Sequence, residues 1–219
     1  MYDIKDKVVL VTGAGKGYGR QLAETFAAHG AKVAANDISP LNVEQVVTGI
    51  TAQGGEARAF VEDVAKKIGV QALVNAVVDV WGRIDILINN ANVEPVISVL
   101  EMDEWDWHRV LDVNLTGAFL LLQSVGRVMR AQGGGVIVNL IPLVGHTGPE
   151  RAAYAASKLG LLGLTHHAAH ELAPYSIRVY AVGTGLADAV QIKKQTGDIL
   201  TTVVSLCESE TLPQTIELT

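Results

Sequence analysis

The stretch Val8-Val9-Leu10-Val11-Thr12-Gly13-Ala14-Gly15-Lys16-Gly17-Tyr18-Gly19 decides the fold of this chain. Its apolar start reads as a short buried strand. The glycines that follow let the backbone turn tightly into a helix beginning at about Tyr18–Arg20. A helix N-terminus offers free N–H groups and a positive dipole, so a pyrophosphate can approach such a turn closely. The next strand, Lys32–Asp37, ends on a carboxylate. A carboxylate there accepts both ribose hydroxyls of NAD and repels the 2′-phosphate of NADP. Lys16 pulls weakly the other way, but Asp37 sits on the ribose itself. Glycine-rich turns are common. Set between strand and helix, and followed by the acidic residue, this one predicts dinucleotide binding with NAD (NADH) as the cofactor. Gly13, Lys16, Gly17, Tyr18, Gly19 and Asp37 are its expected contacts.

Strand-like and helix-like stretches alternate from there to the end of the chain. Gly30 caps a helix carrying Leu22 and Phe26 on one face. Ser39-Pro40 reads as an N-cap with proline in the first turn. Ala57–Glu62 is a third strand, followed by a helix to about Trp81, and Ile84–Asn89 is a fourth. Asp103 caps a long helix through Trp107, Val110 and Val113 that stops at Gly133-Gly134-Gly135. Val136–Leu140 is the fifth strand, Ala153–Ala173 a helix and Arg178–Val182 the sixth strand. Asp198–Glu208 and Thr215–Leu218 fit a last helix and strand. This alternation predicts right-handed crossovers and a doubly wound parallel sheet with helices on both faces. Ligands bind such sheets at the carboxyl ends of the strands, where the strand order reverses.

The 219 residues suit one α/β domain, 1–219, and contain no repeat or linker. A net charge of −6 with no block of Lys and Arg argues against nucleic-acid or anionic-membrane partners. The single cysteine, Cys207, excludes an intrachain disulfide and suits a reducing compartment. The polar start of the chain reads as no signal peptide, and no apolar run approaches the roughly 18 residues of a membrane span. The expectation is a cytoplasmic protein.

Downstream, Tyr154-Ala155-Ala156-Ser157-Lys158 reads as a proton-transfer pair one helical turn apart. With the glycine loop, Asn89-Asn90-Ala91 and Asn114 in this order, the chain resembles the short-chain dehydrogenase/reductase family along nearly its whole length. The resemblance implies a single-domain Rossmann fold with a seven-stranded parallel sheet, assembled as a homodimer or homotetramer. The implied activity is hydride transfer between NAD(P) and an alcohol or carbonyl. Tyr154 would be the general acid/base on the substrate oxygen and, with Lys158, a contact to the cofactor. Lys158 would lower the tyrosine's pKa and hold the nicotinamide ribose. Asn114 would anchor a relay water where its helix is locally interrupted. Asp63 and Val64 would contact the adenine, Asn90 and Ala91 the adenosine ribose, and Gly185 follows the sixth strand at the cofactor.

The chain also departs from that pattern. Where the family carries Ser-Ser, it reads Ile141-Pro142. Proline has neither a side-chain donor nor an N–H, and losing one such donor costs on the order of 100- to 1000-fold in rate. His146 or Thr147 is the nearest alternative donor in sequence. Asn92 replaces the usual glycine, where asparagine tolerates left-handed backbone. Thr184 replaces the usual proline, and Leu186-Ala187-Asp188-Ala189 lacks the usual threonine. Residues 186–197 form a shortened substrate-loop region in place of a longer lid, with Gln191–Gly197 reading as a mobile loop. Two functions follow: a slow NAD-dependent oxidoreductase for a secondary alcohol or ketone, or a non-catalytic NAD(H)-binding sensor or silent subunit of a mixed oligomer. His166, His167 and His170 have metal-compatible spacing on one helix, yet no further ligand converges in sequence, so no metal is expected. Trp107 reads as a packing anchor.

Overall fold

The computed structural model describes residues 4–141, 149–184, 194–195, 198–208 and 215–218. The strands are β1 Val8–Thr12, β2 Lys32–Asp37, β3 Glu56–Val61, β4 Ile86–Asn89, β5 Gly135–Leu140, β6 Ile177–Thr184, β7 Lys194–Gln195 and β8 Thr215–Leu218. The helices are α1 Gly17–Ala28, α2 Pro40–Ala52, α3 Lys67–Trp81, α4 Glu104–Leu111, α5 Gly117–Gln132, α6 Ala152–Leu172 and α7 Ile199–Glu208. Pro142, His146, Thr147, Gly185 and most of the 186–197 region lie outside the described residues.

One sheet runs β3-β2-β1-β4-β5-β6-β8-β7, with every neighbouring pair parallel. The expected seven strands are all present, and the two-residue β7 adds an eighth at the edge. The strand order reverses between β1 and β4, so a crevice opens past their carboxyl ends.

Both faces of the sheet are covered, which is why its strands read as continuous apolar runs. Successive side chains of a strand point to opposite faces. Val9 and Val11 therefore pack with Leu22 and Phe26 of α1, Val43 and Val46 of α2 and Val203 of α7. Val8 and Leu10 pack on the other side with Leu73 of α3, Leu121 and Val125 of α5 and Ala168 of α6.

The caps explain the helix boundaries. Asn42 N donates to Ser39 Oγ at 3.4 Å, with Pro40 in the first turn of α2. Asp106 N donates to Asp103 Oδ1 at 2.7 Å at the start of α4. The helix after Asp103 is not continuous, because a π-helical turn over Asp112–Thr116 separates α4 from α5. Trp107 is 37% exposed rather than a buried anchor, and Val110 is the residue α4 buries. Ser157, Asn114 and Thr165 are buried polar groups, each with hydrogen-bond partners. Among the described residues no helix is long and apolar enough to cross a membrane.

Candidate active site

The glycine turn is built by close approach. Gly13 sits at φ +62, a left-handed backbone that glycine adopts without penalty. A β-carbon on Gly19 would lie 2.1 Å from Gly13 O and 2.4 Å from Asn90 Nδ2. The turn is stitched to the end of β4 by two side chains. Thr12 Oγ1 accepts from Asn90 N and Ala91 N at 3.1 Å each and donates to Ile88 O at 3.3 Å. Asn90 Nδ2 donates to Thr12 O at 2.9 Å and Gly13 O at 3.1 Å. Asn90 thus spends its amide on the loop, a role the expected ribose contact had not anticipated.

Asp37 stands at the mouth of this turn with both carboxylate oxygens held. Gly15 N donates to Oδ2 at 2.9 Å, and Ser39 N donates to Oδ1 at 2.9 Å. Neighbouring Asn36 reaches across the sheet edge, its Nδ2 donating to Phe60 O and Glu62 O at 3.1 Å each. That bond holds the end of β3 in place just before Asp63. Asp63 Oδ1 in turn accepts from Ala65 N at 3.0 Å, and Val64 is buried.

A cleft of about 860 Å³ opens over these residues. Gly13, Lys16, Gly17, Tyr18, Asp37, Asp63, Val64, Asn90 and Ala91 all line it, so nine of the expected cofactor contacts converge on one space. Gly19 underlies the turn, and Tyr18 is 46% exposed. Sequence reading missed the opposite wall, made by Trp105, Arg109 and Val113, with the Arg109 guanidinium 5.3 Å from the Trp105 ring centre.

Tyr154 and Lys158 lie deeper. Each is 1% exposed, on the first turns of α6. Lys158 Nζ is 5.5 Å from the Tyr154 ring centre and donates to Leu140 O at 3.3 Å. Asn114 is buried at the π-helical turn beside them. Its Oδ1 accepts from Val93 N at 2.8 Å, and its Nδ2 donates to Val93 O at 2.9 Å and Ser157 Oγ at 3.1 Å. Asn114 therefore fixes the segment after β4 against α6. A buried ladder below it joins Asn89 Nδ2 to Asn139 Oδ1 at 2.7 Å and Asn139 Nδ2 to Thr165 Oγ1 at 2.8 Å. This ladder ties β4, β5 and α6 under the site.

Burial pushes the Tyr154 phenol up to about 12, and the charge of Arg151 opposes that rise. Burial also pushes Lys158 down to about 8. Between about pH 8 and the ordinary lysine value of 10.5, the unfolded chain binds at Lys158 a proton that the folded chain lacks, so the contribution of this lysine to stability rises with pH. Burial pushes Cys207 and Tyr154 up to about 12, and above their ordinary values of 9.0 and 10.0 they act in the opposite direction. Urea midpoints at pH 7.5 and pH 8.5, below both, are expected to rise in the wild type and to stay flat or fall in Lys158→Met. Asn92 needs no left-handed backbone, which among the described non-glycine residues is confined to Asp6, Glu150 and Ser176. Ile141 is fully buried at the end of β5. His166, His167 and His170 are exposed on α6, and no group of three or more His, Cys, Asp or Glu among the described residues could hold a metal ion.

Comparison with known families matches residues 7–199 to the short chain dehydrogenases. The chain belongs to the short-chain dehydrogenase family. An uncharacterized oxidoreductase of Thermotoga maritima is 44% identical over 184 residues, covering 84% of this chain and 72% of that protein. A metagenomic short-chain oxidoreductase crystallised with NADP superposes with a TM-score of 0.88 at 30% identity, covering 98% of this chain and 97% of that one. An NAD+-bound xylitol dehydrogenase superposes with a TM-score of 0.79 at 36% identity, covering 94% of this chain and 79% of that one. Short-chain dehydrogenases thus use either nicotinamide dinucleotide on this scaffold, and the fold alone does not choose between them.

Proposed function

We propose that the chain is an NAD-dependent oxidoreductase that moves a hydride between nicotinamide and a secondary alcohol or ketone. The observation that carries this reading is the packing of Tyr154 and Lys158 one turn apart, against Asn114, on a scaffold whose glycine cradle and Asp37 fit a dinucleotide. Bound NAD(H) supplies the hydride donor or acceptor. Gly13, Gly17 and the free N–H groups of α1 would hold its pyrophosphate, and the cleft wall at Asp63 and Val64 would take its adenine. The Tyr154 phenol gives its proton to the carbonyl oxygen in reduction, and its phenolate takes the alcohol proton in oxidation. A phenol pushed up to about 12 is protonated at neutral pH and stands ready as the acid that carbonyl reduction needs. Lys158 and Asn114 hold that group in place and keep bulk water from it.

Asp37 carries the choice of NAD. Two like charges about 4 Å apart repel by about 4 kcal/mol at an effective dielectric of 20, an upper figure for a solvent-facing pair. Wild-type protein is expected to bind NADH at least tenfold more tightly than NADPH, about 1.4 kcal/mol. Asp37→Ser is expected to remove most of that difference. Equal binding of the two by the wild type, measured by fluorescence titration, overturns the assignment.

A second reading is a silent NAD(H)-binding sensor or subunit. It draws on Ile141-Pro142, which place no hydroxyl where the family keeps its serine. Single-turnover NADH oxidation on a panel of ketones and aldehydes, wild type against Pro142→Ser, separates the two. Comparable rates support the oxidoreductase, and activity in the serine variant alone supports the silent protein. The exposed α6 face with His166, His167 and His170, together with the exposed Phe119 of α5, is the surface we assign to a homodimer or homotetramer. Light scattering after size exclusion tests that assignment.

A further inference from the structure

The segment between β4 and α4 is tied to the start of α6 at successive points. Asn114 holds both backbone groups of Val93. The Glu94 carboxylate pairs with the Arg151 guanidinium, their side chains 17% and 25% exposed. Ile97 N donates to Glu150 O at 2.9 Å. Glu150 itself sits at φ +67, a left-handed backbone that a glutamate adopts only where its surroundings impose it. Arg151 occupies the N-cap position of α6 without capping the helix through its side chain. Its guanidinium is instead committed to Glu94, one helical turn before Tyr154.

We propose that Arg151 is a positioning residue for Tyr154: anchored by Glu94, it fixes the first turn of α6 and places a cation one helical turn before the tyrosine, coupling the β4–α4 segment to the acid/base group. The inference rests on the reading of Tyr154 as that group. Among the described residues, the elements packed around this part of α6 bear Lys158 on the helix itself, Glu150 and Arg151 at its start, Glu94 on the segment, Glu104, Asp106, His108 and Arg109 on α4, and Asp112 on the π-helical turn. Of these, the charge of Arg151 is the one that lowers the phenol against its burial. The Glu94 carboxylate pairs with that cation. A shift of the segment that drew Glu94 away would therefore ease release of the Tyr154 proton, and one that pressed Glu94 closer would oppose it.

The test is a pH titration of the cofactor-free protein carrying ¹³Cζ-labelled tyrosine. Five tyrosines give signals, and Tyr154→Phe assigns the relevant one. Glu94→Gln is expected to lower the Tyr154 midpoint by about one pH unit, because Arg151 is then uncompensated. Arg151→Met is expected to raise it, and Arg151→Lys to restore most of the wild-type value. In the double variant, Glu94→Gln is expected to have no effect beyond that of Arg151→Met. The alkaline limb of the single-turnover rate is expected to shift in the same order. An unmoved midpoint in Glu94→Gln overturns the proposal, and so does an equal Glu94→Gln effect with and without Arg151. If Arg151→Met fails to fold, the Glu94→Gln and Arg151→Lys titrations decide. NADH titrations of the wild type run alongside: a protein that binds no NADH removes the oxidoreductase reading, while the tyrosine titration still decides the role of Arg151.

Discussion

Tyr154→Phe is expected to lower single-turnover NADH oxidation by about 100- to 10,000-fold, the range that a positioned acid/base contributes. The change removes one oxygen and keeps the ring that packs at 1% exposure, so the fold should hold. NADH affinity should stay within about threefold, because Tyr154 does not line the cleft proposed for the pyrophosphate and the adenosine, and the phenylalanine keeps the ring. Loss of rate with retained binding places the effect in the chemical step. An unchanged rate means that another group delivers the proton, and the role assigned to Tyr154 fails. The pH dependence sharpens the test. A phenol held up at about 12 by burial keeps its proton through the neutral range. Carbonyl reduction should therefore run on a flat rate–pH plateau there, and alcohol oxidation should rise with pH.

Gly19→Ala is expected to abolish measurable NADH binding and to destabilise the fold. The added carbon would stand 2.1 Å from Gly13 O, a backbone atom that cannot swing aside. Relief requires the glycine turn to move away from Asn90, whose amide bonds to Thr12 O and Gly13 O at 2.9 and 3.1 Å. Overpacking of this kind costs about 1–3 kcal/mol. Each kcal/mol lowers Tm by about 2–4 °C in a domain of this size. Each backbone N–H turned away from a phosphate forfeits about 1.5–3 kcal/mol, or roughly 10- to 100-fold in affinity. Gly49→Ala is the control. That glycine lies inside α2 with no atom within 4 Å of its added carbon, so the variant should bind NADH normally and gain slightly in stability. Differential scanning calorimetry and NADH titration of the two variants check both outcomes. Normal binding by Gly19→Ala would mean that the turn does not cradle the pyrophosphate.

Much of the scaffold was legible because its signals are local. A buried strand announces itself as an apolar run, as in Val8–Val11. A cap announces itself as Ser39 before Pro40, or as Asp103 two residues before Trp105. The four-residue spacing of Tyr154 and Lys158 places both on one side of α6 whatever surrounds the helix. The departures from local expectation come where distant chain segments meet. The long helix after Asp103 is interrupted at Asp112–Thr116, around Asn114 where the family resemblance implied a break, although no residue in that stretch is a helix breaker by propensity. The packing of Asn114 against Val93 and Ser157 accompanies the break.

By itself, then, the sequence determined the parallel, doubly wound architecture, the glycine turn with Asp37 after it, and the Tyr154–Lys158 pair. All of these are written in periodicity and spacing within one or two consecutive elements. Only the tertiary structure decided that Asn90 serves the loop, that Thr12 bonds across to β4, that Trp105 and Arg109 wall the cleft, and that Glu94 pairs with Arg151 at the start of α6. Those partners stand tens of residues apart in the chain. They meet because the strand order sets β4 against β1 and brings the segment after β4 over the start of α6, an arrangement that no local pattern encodes.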